Sequence, residues 1–120
     1  MEIQKMSDQE RFVYLINTIA ERREIWLLQS IDGFFAMFEG GDSQSFIPIW
    51  PEKEMAQLMA CDDWDNYKPE RMGLGEFLTW MDELKDDGIF IGAFPYSNHK
   101  ALAVDPIDLK NQLLQMKGKF

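Results

Sequence analysis

The chain has 120 residues, 46% hydrophobic and 28% charged, a composition that suits one globular domain and excludes a disordered tract or two domains. Twelve basic residues against 21 acidic ones give a net charge of −9, which argues against nucleic acid and anionic membrane surfaces as partners and favours a basic protein. The lone cysteine, Cys61, excludes an intrachain disulfide, no run approaches the roughly 20 apolar residues that span a bilayer, and MEIQKMSDQERF is no secretion signal, so the expected location is the cytoplasm.

In chain order, SDQE (7–10) reads as a capping box. Phe12, Leu15, Ile16 and Ile19 then recur at helical spacing, and this helix is expected to end near Glu21 to Arg23. EIWLLQ (24–29) and FFAMFE (34–39) are strand-like, and Asp32-Gly33 between them signals a hairpin. GGDSQ (40–44) is a turn. SFIPIW (45–50) is a third strand, placed at a sheet edge by Pro48 or turned so that its nitrogen faces outward. Pro51 then fits the first turn of a helix whose stripe is Met55, Leu58 and Met59, with Glu52 and Glu54 favouring its start.

CDDWDNYKPERMG (61–73) is the least regular stretch, with a short extended piece expected near Tyr67 to Met72. A helix from about Leu74 or Gly75 to Asp86 shares Leu74, Phe77, Leu78, Met81 and Leu84 on one face, with Trp80 at its margin and Gly88 as its stop. IFIGAFP (89–95) and KALAVD (100–105) form a hairpin around YSNH. Asp105-Pro106 then caps a last helix with Leu109, Leu113 and Met116 on one stripe and Ile107 and Leu114 on another. The fold class is α+β: a mostly antiparallel sheet of about five or six strands with about four helices packed on it, in the order α-β-β-β-α-(β)-α-β-β-α.

Chemistry-bearing patterns are sparse. Cys61 and His99 have no metal-ligand spacing, and Asp62, Asp63 and Asp65 lack the glycine and final glutamate of a calcium loop. The serines lack a nucleophile elbow, and no carboxylate sits in the apolar setting that a general acid needs. GLG (73–75) lacks the lysine of a phosphate loop. No catalytic residue, metal or cofactor is expected.

The aromatics are more informative. Residues 62–87 hold nine Asp or Glu against Lys68, Arg71 and Lys85. Trp64 and Tyr67 lie among them, which makes Asp62, Asp63, Trp64, Asp65, Tyr67 and Trp80 the candidate surface for a basic partner. Trp64 has an alternative role as a lid folded back on the core. Trp50 ends a strand just before Pro51, either filling a fold corner or lining a small-ligand pocket with Trp26 and the loop around His99. Self-association through the last helix or the edge near Pro48 is a third route.

EIWLLQSIDG (24–33), FIPIWPEKEMA (46–56) and LKDDGIFIGAFP (84–95) resemble the bacterial family known as domain of unknown function 2750. The resemblance runs from about Arg11 to Leu114. It implies a compact cytoplasmic domain whose fold depends on Trp26, Asp32, Gly33, Trp50, Pro51, Gly88 and Pro95. It carries no activity, cofactor or catalytic residue. The strand-into-helix corner is also similar, as a remote likeness of fold, to the N-terminal domain of SseB-like proteins. The expected function is that of a non-enzymatic interaction module, adaptor or immunity-like, with a ligand-binding domain or cryptic enzyme as the alternative.

Overall fold

A computed structural model describes residues 6–39, 44–61, 64–95 and 102–117. Helix α1 (Asp8–Arg22) starts on the expected capping box: Ser7 Oγ accepts from the Glu10 N–H at 3.1 Å, and Glu10 Oε1 accepts from the Ser7 N–H at 3.0 Å. Phe12, Leu15, Ile16 and Ile19 are all buried. The chain leaves α1 through Arg23, in the left-handed region at φ 58°, and enters strand β1 (Glu24–Ser30).

The turn after β1 follows from Gly33, whose φ of +91° suits a residue without Cβ. The Ser30 N–H closes it on the Phe34 carbonyl at 2.8 Å. The returning segment still pairs with β1 at Gln29–Phe35, but regular strand geometry is confined to β2 (Phe38–Glu39). The expected strand over 34–39 is therefore shorter. The turns expected at GGDSQ (40–44), apart from Gln44, and at YSNH (96–99) lie outside the described residues.

Strand β3 (Ser45–Ile49) pairs antiparallel with β2 on one side and parallel with β5 (Phe90–Ala93) on the other. Strand β6 (Leu102–Val104) continues antiparallel to β5. Strand β4 (Tyr67–Gly73) pairs antiparallel with the whole of β1. Two bonds, Trp26 N–H to Trp50 O at 3.0 Å and Trp50 N–H to Trp26 O at 2.9 Å, join the β1–β4 pair to the end of β3. Pairing is thus mostly antiparallel, with one parallel pair where β4 and two helices intervene between the strands.

Pro48 corrects one expectation. Its strand is interior, not an edge, and Pro48 is buried. The Ile49 carbonyl accepts from Phe94 on the β5 side, so by alternation Pro48 faces the other way, between the Phe38–Phe46 pair and the Trp26–Trp50 pair. Its missing N–H falls where β3 changes partner from β2 to β1, and no ladder bond is lost there. Self-association through an edge near Pro48 goes with that correction.

Helix α2 (Lys53–Leu58) is also shorter than expected. Glu52, extended at φ −139°, is the cap, so Pro51 precedes the helix instead of opening it. Ala56 and Met59 are buried, while Leu58 is 64% exposed and leaves the expected stripe. Helix α3 (Leu74–Asp86) buries Leu74, Phe77, Leu78, Met81 and Leu84 and stops at Gly88, φ +72°. Helix α4 (Pro106–Lys117) starts on Asp105, whose Oδ1 accepts from the Ile107 N–H at 2.8 Å. It buries Leu109 and Leu113 against α1 and α3, while Leu114 is exposed. One apolar cluster, centred on Trp50, Phe77, Phe94, Ile49, Ile91 and Leu109, ties these elements together.

Candidate functional site

The corner at Trp50 is filled. Its indole is 0% exposed, and its Nε1–H donates to the Pro95 carbonyl at 3.0 Å across the sheet. Phe94 beside it is buried at φ 47°, a strained conformation for a bulky residue, held by its N–H on the Ile49 carbonyl at 2.9 Å. Trp26, half-buried, donates its indole N–H to Glu24 Oε2 at 2.9 Å, and Arg71 Nε donates to Glu24 Oε1 at 2.7 Å. Trp26 and Trp50 meet through their backbones, and both indole N–H groups are satisfied. His99 lies outside the described residues, so the proposed trio is not brought together within them.

Trp64 takes the second of its two expected roles, a lid folded back on the core, and not that of a surface anchor. It is 4% exposed, edge-on to Trp50 with ring centres 6.2 Å apart and tilted on Phe38 at 6.1 Å. The acidic neighbours signalled solvent, but the indole turns inward because an aromatic box from β2 and the β3 end receives it. Asp62 and Asp63 lie outside the described residues, and Asp65 is exposed. Of the expected partner surface, Tyr67 and Trp80 remain as half-buried aromatics.

Tyr67 sits opposite Ser30 in the β1–β4 ladder, which places it under the hairpin tip. There Ile31 is 97% exposed and Phe34 70%. With Tyr67, Asn66 and Lys68 they border a hollow of about 670 Å³. Sequence reasoning missed Ile31 and Phe34, assigning them to a turn and a strand start. The signal was an isoleucine inside the turn itself, a poor turn residue.

Phe35 takes the other side of the hairpin, by strand alternation, and packs against Trp80 at 5.1 Å. These two rings with Met72 form a hollow of about 510 Å³ edged by Glu76, Thr79 and Glu83. Glu76 and Glu83 were also missed, although they stand one helical turn either side of Trp80.

The shifted carboxylates are structural. Arg71 above all holds Glu24 below the usual carboxylate range, and Lys85 does the same for Asp105 through a 2.5 Å contact. Tyr14 donates to Glu52, which pushes the phenol up. A general acid working near neutral pH needs a raised carboxyl, the reverse of these shifts. Among the described residues no group of three or more His, Cys, Asp or Glu could hold a metal ion. Nor is any described helix long and apolar enough to cross a membrane.

A family model described as "Protein of unknown function (DUF2750)" matches residues 12–113, and the chain belongs to that family. The match does not show the similarity to SseB-like proteins. No curated protein matches the chain.

Proposed function

We propose that this member of the DUF2750 family is a small acidic, non-enzymatic protein-interaction module, adaptor- or immunity-like, that takes a basic protein as its partner. The observation that carries the reading is the pair of apolar side chains displayed at the hairpin tip. Ile31 and Phe34 stand beside Tyr67 on a molecule whose net charge is −9. A fold that buries Trp50 and Trp64 so completely has no shortage of core, so apolar groups held out on a turn favour a surface role. Acidic charge steers a basic protein in, and aromatic and aliphatic side chains anchor it.

The test is capture from the native cell extract at low and high salt, comparing wild type with Ile31→Ser/Phe34→Ser. A basic protein bound by wild type, released by salt and lost by the variant is the expected result. No specific capture, or equal capture by the variant, would overturn the reading.

A further inference from the structure

We propose that the groove walled by Trp80 is a receptor for an arginine side chain on an extended segment of the partner, an assignment that rests on the interaction-module reading. The groove is built by helix periodicity. Glu76, Thr79, Trp80 and Glu83 fall on one face of α3, so a carboxylate stands one turn before the indole and another one turn after it. Phe35 and Met72 supply the apolar remainder, and the 5.1 Å packing of Phe35 on Trp80 fixes the ring.

The charge of this face is incomplete. Two other ionic side chains of α3 do have partners: Lys110 reaches Asp82 at 2.8 Å and Asp105 reaches Lys85 at 2.5 Å. Among the described residues neither Glu76 nor Glu83 has an ion-pair partner. An indole open to solvent on one side, flanked by two such carboxylates, is the set of groups that a cation completes. Arginine fits better than lysine. Its planar guanidinium stacks on an indole and still offers N–H donors in its plane to carboxylates on either side. The hollow of about 510 Å³ is roomier than one guanidinium, which leaves space for the chain that carries the cation to lie over the half-buried Phe35.

The experiment titrates the full chain with acetyl-Arg-Ala-Arg-amide and follows the tryptophan indole N–H resonances. The Trp80 resonance is identified by its loss in Trp80→Phe. A saturable shift at Trp80 is expected, weaker with the lysine peptide and absent with the neutral citrulline peptide. Trp80→Leu, which lacks that resonance and is compared with wild type by calorimetric titration, should weaken binding about 3- to 10-fold. Glu76→Gln/Glu83→Gln should weaken it about 5-fold. Both glutamates are exposed and the change is isosteric, so unchanged melting separates lost binding from lost fold. An unshifted Trp80, an equal response to citrulline or full binding by the double Gln variant would overturn the assignment. Two failures stay distinct: a basic protein captured equally by the double Gln variant removes the arginine site and leaves the module. Arginine binding at Trp80 with no protein captured does the reverse.

Discussion

At the scale of single residues, three of the four tryptophans divide by what surrounds them. Trp50 and Trp64 meet edge to face inside the fold, whereas Trp80 keeps part of its ring in solvent. Trp64→Ala should therefore cost about 3–5 kcal/mol in a denaturant melt, as for a large core side chain. A loss under ~1 kcal/mol would return Trp64 to the surface. The Glu24–Arg71 pair gives a pH signature. Glu24 titrates lower when folded than its ordinary 4.5, so the unfolded chain binds that proton more readily. The pair's contribution is whole above that value and disappears as pH falls through the folded value. Glu24→Gln should be less stable than wild type at pH 7, by no more than about 1 kcal/mol for so exposed a pair, and the gap should close in acid. A gap that persists in acid would assign the effect to packing instead. The sequence announced that Trp50 was a corner, because strand, proline and helix signals converge there. At Trp64 it left surface anchor and core lid open, because the residues that cover that indole, Phe38 and Trp50, are remote in sequence and its near neighbours are acidic.

At the scale of elements, local chemistry was the readable part. Ser7 and Glu10, Asp32-Gly33, Gly88 and Asp105-Pro106 each set an element boundary through a bond or dihedral that depends only on near neighbours. Two substitutions measure this. Gly33→Ala meets open space, but φ +91° is strained for any side chain, and a loss of about 1 kcal/mol is expected from thermal melts. Asp105→Ala removes both the α4 cap and the partner of Lys85, and should cost about 1–2 kcal/mol. If either variant melts like wild type, the boundary is held by packing and not by its turn or cap. What depended on remote pairing was not readable. The parallel β3–β5 pair and the interior position of Pro48 follow from how β1 and β2 share one side of β3, and no window of sequence contains that arrangement.

At the scale of the whole molecule, the core faces and the acidic balance were legible, and the surface proposed for the partner was only half legible. Tyr67 and Trp80 were singled out by their setting, but the hairpin tip and the two glutamates beside Trp80 were hidden in turn and helix patterns. On the proposed reading the partner docks on the hairpin and α3, away from Trp50. The most direct measurement is hydrogen exchange of the indole N–H groups before and after adding the basic protein that the chain captures. Trp50, bonded to Pro95 in the core, should exchange slowest in both states, and Trp80 should exchange quickly alone and slow when the partner is bound. Unchanged exchange at Trp80, with protection gained at Trp26 or Trp50 instead, would contradict the account and move the working surface to the corner.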